Sequence, residues 1–327
     1  MEKKYATGVD IGAQTAKIGV VDKFGKVIAQ TVIHSNDTED FDVFLEHLVM
    51  AITALLKNGN IDIEEVKGVG VGAPNGNFNT GKIEFAPNLT WGKSKSIDFN
   101  TQLREKTGLP CVLTNDANAA AMGEMLYGAA KGMKHFIEIT LGTGVGSGIV
   151  VNGEVLYGYD GYAGELGHTA IVHDNGRLCG CGKYGCLEAY TSAMGIARTA
   201  REFIETNLDV SLYEKASSLR KLIKINSKDV CDEAVADDRL AIEVFNFTGR
   251  LLGKAFADFV AFSAPEAIIL FGGVTKAGDL IMNPIKNSME EHLLPIWKGK
   301  VKLLFSALNE SDAAILGASA LGWEAKE

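Results

Sequence analysis

Residues 5–21 read Tyr-Ala-Thr-Gly-Val-Asp-Ile-Gly-Ala-Gln-Thr-Ala-Lys-Ile-Gly-Val-Val, and residues 139–151 read Ile-Thr-Leu-Gly-Thr-Gly-Val-Gly-Ser-Gly-Ile-Val-Val. Each stretch places glycines between two apolar runs, which predicts two strands joined by a tight turn. The second stretch repeats the pattern of the first. Asn152-Gly153 then separates two further apolar runs, and Asn-Gly is the strongest short signal for a β-hairpin. We therefore expect each half of the chain to begin with a glycine-turned hairpin.

Helices are predicted in the intervals. Apolar residues recur at helical spacing from Phe41 to Leu56, with cap candidates at 36–38 and a stop at Asn58-Gly59. The same reasoning predicts three further helices, of which the last carries small residues that permit close packing; they span about 117–127, 238–262 and 312–323. Short buried strands are expected at 66–72, 111–114 and 267–271. This alternation predicts an α/β protein with two related α/β domains around a cleft.

Composition narrows the class of protein. The chain has 327 residues, of which 46% are hydrophobic, and this is ample for two domain cores. Its net charge of −9 is spread along the sequence, so no nucleic-acid footprint is expected. Charged residues interrupt every apolar run before it reaches the roughly 20 residues of a membrane helix. No leader pattern is recognised at the start, and we expect a cytoplasmic protein without a membrane partner.

The glycine turns are candidate phosphate sites, because backbone N–H groups at such turns form anion-binding concavities. Three turns qualify: Gly12 to Thr15, Gly142 to Gly148, and Gly272-Gly273, where a following helix would also favour negative charge and a purine could lie flat. Asp10 ends the first strand beside the first turn and suits a magnesium ion held through water. The alternatives are simple hairpin turns and a turn-capping Asp.

A metal site is predicted from Glu165-Leu-Gly-His168 and the following stretch, Cys179-Gly-Cys181-Gly-Lys-Tyr-Gly-Cys186-Leu-Glu188. Three cysteines joined by glycines, with one histidine at loop distance, form the Cys3His ligand set of structural zinc. Reduced surface thiols or a disulfide are the alternatives, and the expected reducing compartment disfavours the disulfide. Cys111 and Cys231 are interpreted as core or incidental thiols.

These residues together resemble the ROK family (repressor, open reading frame, kinase), and most closely its bacterial glucokinase-like sugar kinases. The resemblance spans essentially the whole chain. Besides the glycine turns and the cysteine cluster, it rests on Gly72-Ala-Pro74, Asn88-Leu-Thr-Trp91, Asn115-Asp116-Ala-Asn118-Ala, Leu141-Gly-Thr-Gly-Val-Gly-Ser-Gly148 and Gly272-Gly273-Val274. It implies an actin-like ATPase (ribonuclease H-like) fold. It also implies an N-terminal domain of residues 1–115 joined by a C-terminal helix at 306–327, and a larger domain of residues 116–305 that contains the zinc loop.

The resemblance also assigns roles to individual residues. It implies that Asp116 is the catalytic base, against the alternative that Asp116 only caps a helix. Sugar hydroxyls would be held by Asn88, Asn115, Asp116, Glu165, His168 and Glu188. ATP and Mg²⁺ would be bound by Asp10, Gly12, Ala13, Gln14, Thr15, Lys17, Gly142, Thr143, Gly144, Gly272 and Gly273. Structural Zn²⁺ would be bound by His168, Cys179, Cys181 and Cys186, with the second ring nitrogen of His168 directed toward the sugar.

Two positions depart from the family pattern. The first loop usually reads Asp-x-Gly-Gly-Thr, whereas Ala13 and Gln14 stand here and Thr15 comes one place later. Ala is tolerated at such a turn if its φ stays negative, so the group that contacts phosphate in this loop is left open. After Pro74, Asn75 stands before Gly76, and Asn adopts left-handed backbone geometry better than most residues do.

The implied activity is that of an ATP-dependent hexokinase, most closely a glucokinase that acts on the 6-hydroxyl of glucose. Alternative substrates are N-acetylmannosamine, N-acetylglucosamine, fructose or another hexose, and the sequence alone does not select among them. A different class of function, the sugar-sensing transcriptional regulator, is disfavoured because only four residues precede Tyr5 and no basic patch is present. A homodimer is expected from the resemblance.

Overall fold

The computed structural model describes residues 2–213, 215–309 and 311–326. The strands are β1 (Tyr5–Ile11), β2 (Thr15–Asp22), β3 (Val27–His34), β4 (Val66–Gly72), β5 (Gly76–Asn77), β6 (Lys82–Glu84), β7 (Ser96–Asp98), β8 (Cys111–Thr114), β9 (Phe136–Leu141), β10 (Val145–Val151), β11 (Glu154–Val155), β12 (Ala267–Phe271) and β13 (Lys302–Phe305). The α-helices are α1 (Phe41–Asn58), α2 (Phe99–Thr107), α3 (Asp116–Leu126), α4 (Glu188–Thr191), α5 (Ala193–Glu205), α6 (Leu208–Leu212), α7 (Ser227–Val235), α8 (Arg239–Ser263), α9 (Asp279–His292) and α10 (Ala313–Trp323).

Two five-stranded sheets share one topology. The first has the order β3-β2-β1-β4-β8, with β1–β2 and β2–β3 antiparallel and the remaining pairs parallel. The second has the order β11-β10-β9-β12-β13, with β10–β11 antiparallel and β9–β12 and β12–β13 parallel. A small antiparallel sheet, β5-β6-β7, completes the strands. The matching orders confirm the internal repeat predicted from the two glycine-turned hairpins.

The predicted hairpin at Asn152-Gly153 is also present. Both residues have positive φ, 56° and 81°, and they join β10 to β11. Two successive positive φ values define the turn whose twist matches that of the flanking strands, and Asn-Gly is the pair that adopts them most readily.

Helix α1 carries the apolar face that its sequence predicts. Phe41, Phe44, Leu45, Leu48, Ile52, Leu55 and Leu56 are buried, and Gly59 ends the helix. The cap differs from the predicted candidates at 36–38. Asp40 caps the helix by accepting the Asp42 N–H at 2.9 Å, because it directly precedes the first helical residue. Residues 36–38 lie earlier in the connection from β3.

Helix α10 packs directly on the backbone of the first sheet. A Cβ atom at Gly8 would lie 2.2 Å from the carbonyl oxygen of Ile315, and one at Gly70 would lie 1.9 Å from that of Ala318. Both distances are far inside van der Waals contact, so these strand positions accept only glycine. The small residues predicted for the last helix therefore serve close packing, and they place α10 against β1 and β4.

The chain divides into two compact units. The first comprises Met1–Lys134, Gly148–Gly164 and Ser306–Glu327, and the second comprises His135–Ser147 and Glu165–Phe305. Helix α3 lies in the first unit, whereas the predicted domain boundary falls between residues 115 and 116. The division into functional domains at that boundary stays a prediction. Among the described residues, no helix has both the length and the apolar character needed to cross a membrane.

Gly70→Ala is expected to lower the free energy of unfolding by roughly 3 kcal/mol, because the new methyl group forces α10 away from β4. Gly92→Ala is the matched control, since a Cβ there meets the Leu89 Cβ at an ordinary 3.4 Å. Urea unfolding of both variants measures the difference. Equal stability of the two variants would contradict the close packing of α10.

Candidate functional site

Two carboxylates lie at the carboxyl ends of two parallel strands, β1 and β8, that flank β4 in the first unit. Asp10 on β1 pairs with Gly72 on β4, and Gly72 pairs with Thr114 on β8, two residues before Asp116. Gly72 leaves the space between them open: a Cβ there would lie 3.6 Å from the Asp116 Cα and 3.8 Å from the Asp10 Oδ1. The structure therefore brings Asp10 and Asp116 together at the sheet edge where open α/β proteins bind ligands.

Both carboxyl groups are harder to ionise than usual. Burial is the main reason that the pKa of Asp10 is raised to about 6; the charge of Asp116 adds to the effect and Lys17 opposes it. Burial among surrounding protein atoms also raises the pKa of Asp116, against hydrogen bonds from backbone N–H groups that include that of Ala117. The Asp116 side chain nevertheless stays accessible to solvent, so a substrate can reach it.

Asp116 is not the cap of α3. Asn115 caps this helix, since its Oδ1 accepts the Asn118 N–H at 2.8 Å. Asp116 is the first helical residue, and its Oδ1 accepts the Ala117 N–H at 2.9 Å. Helix capping, the alternative role for Asp116, is thus performed by Asn115. A carboxylate at this first position also has favourable electrostatics with the helix N-terminus.

The first glycine turn joins β1 to β2. The Gly12 N–H donates to the Thr15 carbonyl at 2.9 Å, and Lys17 lies opposite Asp10 in the strand register. Neither Ala13 nor Gln14 has a positive φ, so the departure from the glycine-rich family pattern causes no backbone strain. Within the described part of the chain, the N–H groups of Ala13 and Gln14 donate to no other group. They are the candidate phosphate donors of this loop.

The second glycine turn joins β9 to β10 in the second unit. The Gly142 N–H donates to the Gly144 carbonyl at 3.0 Å, and the Gly142 carbonyl accepts the Ala193 N–H at the start of α5 at 2.9 Å. The N–H groups of Thr143 and Gly144 have no acceptor among the residues that the structure describes. This turn is therefore a candidate anion site of the same kind as the first.

The third glycine turn differs from the prediction. Gly272 has φ 103°, and a Cβ there would lie 2.6 Å from the Leu141 carbonyl, so glycine is required beside the end of β9. The residues that follow, Gly273–Ala277, form a short 3-10 helix, and α9 begins only at Asp279. The expectation that the turn leads straight into an α-helix was therefore wrong.

The predicted zinc ligands form one cluster in the second unit. A ring nitrogen of His168 and the sulfurs of Cys179, Cys181 and Cys186 all lie within 4.8 Å of one another. The Cys179 Sγ to His168 Nδ1 distance is 3.7 Å, and so is the Cys181 Sγ to Cys186 Sγ distance. Tetrahedral zinc with ordinary bond lengths needs roughly 3.6 Å between sulfur and nitrogen and roughly 3.8 Å between two sulfurs. The donor set and its spacing fit a structural zinc ion.

Glycines and short bridges shape the zinc loop. Gly182 and Gly185 have positive φ, and the Cys179 N–H donates to the Lys183 carbonyl at 2.8 Å. A Cβ at Gly185 would lie 1.9 Å from the Val172 carbonyl, so the loop packs closely against the preceding segment. The loop is therefore held by backbone contacts as well as by any metal.

Two carboxylates adjoin the cluster. The second ring nitrogen of His168, Nε2, lies 3.9 Å from Glu165 Oε2, while Nδ1 faces the cysteines. Glu188 accepts the Val145 N–H through Oε2 at 2.9 Å, and its Oε1 lies 3.4 Å from Cys179 Sγ. Glu188 thus connects the zinc loop to the end of the second glycine turn. A Cβ at Gly144 would lie 2.5 Å from Glu188 Oε2, so a side chain at this position would displace the Glu188 carboxylate.

A cavity of about 520 Å³ opens beside Thr143 in the second unit. It extends from Thr143 and Glu188 along α5 to the segment before α7, and its lining includes Met194, Arg198, Arg201 and Asn226. A volume of several hundred Å³ is typical of a small-molecule site. Of the residues that line this wall, only Thr143, Cys179 and Glu188 were predicted from the sequence.

Arg177 was also missed. Its guanidinium is buried against the Tyr190 ring, 4.4 Å from the centroid, and donates to Thr199 Oγ1 at 2.9 Å and to Glu202. It donates further to the carbonyls of Ala189 and Gly195. These contacts tie the zinc loop to α4 and α5. No signal in the sequence distinguishes this Arg from a solvated one, because its partners follow it at irregular spacing.

Asn88 is exposed in the segment after β6, where it is available to a ligand in the first unit. Its carbonyl oxygen accepts a hydrogen bond from the Asn36 side chain at 3.2 Å. The predicted site residues thus fall into two groups: Asp10, Asn88, Asn115, Asp116 and the first turn in one unit, and the zinc ligands, Glu165, Glu188 and the other two turns in the second.

Comparisons with known proteins agree on one family. The family model described as "ROK family" matches residues 6–325. A "Glucokinase" of Halalkalibacterium halodurans is 36% identical over 331 residues, which cover 100% of this chain and 96% of that relative. A ROK family glucokinase from Streptomyces griseus, solved in complex with glucose and AMPPNP, is 30% identical with a TM-score of 0.76, covering 98% of this chain and 99% of that one. A "Xylose repressor" of Bacillus spizizenii is 28% identical, covering 97% of this chain and 76% of that relative.

Asp10→Asn is expected to stabilise the ligand-free protein more at pH 8 than at pH 5. A carboxyl group whose pKa is raised in the folded state lowers the stability of that state as the pH rises. For Asp10 this loss develops from the ordinary pKa of 3.8 through the folded-state pKa of about 6. A pKa change of that size corresponds to up to about 3 kcal/mol above pH 7, of which roughly 1 kcal/mol develops between pH 5 and pH 8. Urea unfolding in magnesium-free buffer measures it, with exposed Asp258→Asn as control. The same stabilisation at both pH values would contradict the assignment.

Cys186→Ser is expected to reduce bound zinc from about one ion per chain to a small fraction of that, since structural zinc requires four ligands. Cys231→Ser is the matched control, because Cys231 lies outside the cluster on α7. Metal analysis of the purified proteins gives the zinc content. Retention of zinc by the Cys186 variant would exclude this ligand set.

Proposed function

The chain belongs to the ROK family, and we propose that it is an ATP-dependent hexokinase that transfers the γ-phosphoryl group of ATP to the 6-hydroxyl of glucose. The observation that carries the proposal is the pair Asp10 and Asp116, brought together across Gly72 in reach of solvent. Phosphoryl transfer requires positioning, neutralisation of phosphate charge and an acceptor for the hydroxyl proton. Two carboxylates beside a loop with available N–H groups meet these requirements.

Asp116 is the proposed catalytic base. Its Oδ1 is held by the Ala117 N–H, which fixes the carboxylate while the other oxygen can accept the proton of the sugar hydroxyl. The raised pKa makes the carboxylate a better proton acceptor than an ordinary Asp. The hydroxyl oxygen attacks the γ-phosphorus in line, and ADP leaves with the electron pair of the broken bond. Proton transfer accompanies or follows that attack, because Asp remains a weak base at neutral pH.

The Asp10 carboxylate is proposed to bind Mg²⁺ through a water molecule. Bound Mg²⁺ supplies charge neutralisation at the phosphates of ATP. The N–H groups of Ala13 and Gln14 in one loop and of Thr143 and Gly144 in the other would donate to phosphate oxygens, and Lys17 adds positive charge beside Asp10. The Gly272-Gly273 turn and the cavity beside Thr143 would accommodate the nucleoside.

Sugar binding is assigned to Asn88, Asn115, Asp116, Glu165, His168 and Glu188. Zinc bound to the cluster would fix the His168 tautomer, so that Nε2, which faces Glu165, is presented to the sugar. Glu188 also accepts the Val145 N–H at the end of the second glycine turn. It would therefore connect the sugar-binding residues of the zinc loop to the proposed phosphate-binding turn. The zinc ion therefore has a positioning role in this proposal, and the proton is handled by Asp116.

The family also contains repressors, and the Bacillus spizizenii relative makes a sugar sensor without catalysis the second candidate. Other hexoses or N-acetylhexosamines are the alternative substrates within the kinase proposal. We further propose a cytoplasmic homodimer that binds no nucleic acid. Gel filtration with light scattering and a DNA-binding assay test these two points.

Purified protein with Mg-ATP is expected to release ADP with glucose, and less rapidly with fructose, N-acetylmannosamine and N-acetylglucosamine.

Asp116→Asn is expected to lower kcat by roughly 100-fold or more, because it removes the base and keeps the shape. Asp258→Asn, which removes an exposed charge on α8, should retain wild-type turnover. Faster turnover of another sugar would change the assigned substrate and keep the kinase mechanism. Absence of ADP release with every sugar would favour the sugar sensor. Full turnover by the Asp116 variant would overturn the mechanism.

A further inference from the structure

The side chain of Asn36 connects the first glycine turn to the segment that carries Asn88. We propose that Asn36 is a positioning residue that couples the nucleotide and sugar sites, so that occupation of one raises affinity for the other. This inference rests on the proposed function, because it assigns Ala13 to the phosphates and Asn88 to the sugar. All of the residues involved lie in the first unit.

Every hydrogen-bonding group of the Asn36 amide is used. Its Nδ2 donates to the carbonyl of Ala13 and to that of Asn88, the latter at 3.2 Å. Its Oδ1 accepts the Thr90 N–H at 3.0 Å, and the Thr90 hydroxyl lies 3.1 Å from it and 2.9 Å from the Thr38 carbonyl, which shares its single proton. Two carbonyl oxygens require a donor on one side, and a backbone N–H requires an acceptor on the other. The orientation of the amide is therefore fixed by its partners, and a carboxylate cannot replace it.

Ser35 anchors the remaining carbonyls of the turn. Its hydroxyl donates to the Gly12 carbonyl at 2.7 Å, and its N–H donates to the Gln14 carbonyl at 3.0 Å. Three successive carbonyls, at 12, 13 and 14, are thus held by residues 35 and 36. This leaves the N–H groups of Ala13 and Gln14 for a ligand.

The other end of the connection is anchored by Trp91. Trp91 is buried, its Nε1 donates to the Ser35 carbonyl at 2.7 Å, and its ring stacks on Phe44 at 4.8 Å between centroids. The segment from Asn88 to Trp91 therefore holds Ser35 and Asn36 from one side, while the glycine turn holds them from the other. In the proposal, a shift of Asn88 on binding sugar would move the Asn36 amide and, with it, the Ala13 carbonyl.

The measurable consequence is a binding linkage. A ligand at one site lowers the cost of ordering the shared segment for the other, and this effect is reciprocal by thermodynamic necessity. Coupling factors between sites are typically about 5-fold to 150-fold. We expect the glucose Kd of the wild-type protein to fall at least about fivefold when Mg-AMPPNP is present, and the AMPPNP Kd to fall by the same factor with glucose.

Asn36→Asp tests the connection. It keeps the size and the Oδ1 acceptor for Thr90, but it places an oxygen against the carbonyls of Ala13 and Asn88. The coupling factor is expected to fall to within about twofold of one in this variant and in Asn36→Ala, since each loses hydrogen bonds worth roughly fivefold apiece. Thr90→Val is the matched control: it removes a hydroxyl that touches Oδ1 and leaves both Nδ2 contacts, so coupling should persist.

Calorimetric titration of each ligand, with and without the other, gives the factors, and thermal unfolding checks that each variant is folded. A merely structural role for Asn36 would weaken both ligands and leave the factor unchanged, and this result would overturn the inference. So would a factor of one in the wild type. If glucose is not the substrate, the hexose with the highest turnover replaces it. Failure of every hexose to bind would overturn the proposed function together with the inference.

Discussion

The packing of α10 on the glycines of β1 and β4 is the constraint on which the first unit depends. Gly8 and Gly70 allow the helix backbone to approach the sheet until no side chain fits between them. This contact sets the relative positions of β1 and β4, and β8 follows from its parallel pairing with β4. The carboxyl ends of these three strands hold Asp10, Gly72 and the start of α3. Close packing of the backbone therefore fixes the strands on which the two carboxylates lie, and a closely packed interior has low compressibility.

The second unit meets a similar requirement by different means. Its second glycine turn is held by the Ala193 N–H from one side and by Glu188 from the other. Glu188 follows the last cysteine of the zinc cluster by two residues, and Arg177 precedes the first cysteine by two. Arg177 binds α4 and α5, so the zinc loop is attached at both ends to the helices that support the turn. In this arrangement, one carboxylate and one guanidinium connect the predicted zinc site to the second glycine turn and to the helices beside it.

Much of this was predictable from local sequence. The buried face of α1, the Asn152-Gly153 hairpin, the small residues of α10 and the Cys3His cluster each follow from periodicity or from chemistry concentrated in a few residues. The errors arose where neighbouring residues compete for one local role. Asp40 rather than residues 36–38 caps α1, and a short 3-10 helix rather than an α-helix follows Gly272. Asn36 and Arg177 were missed because their roles depend on partners that only the fold brings near, as when Asn36 meets Asn88 across the segment that contains α1.

Burial of Asp10 beside Asp116 has an energetic cost that clarifies why such a site exists. An ionised Asp10 is disfavoured in the folded protein because little water reaches it and a like charge lies nearby. A cation and the loop N–H groups, acting with a bound triphosphate, would replace the missing solvation. The Asp10 carboxylate, which destabilises the ligand-free protein, would therefore be stabilised when ligand is bound. Part of the binding free energy would come from reducing the repulsion between Asp10 and Asp116. Asp116 is held by the Ala117 N–H, is reachable from solvent and has a raised pKa, and these are properties that the proposed catalytic base requires.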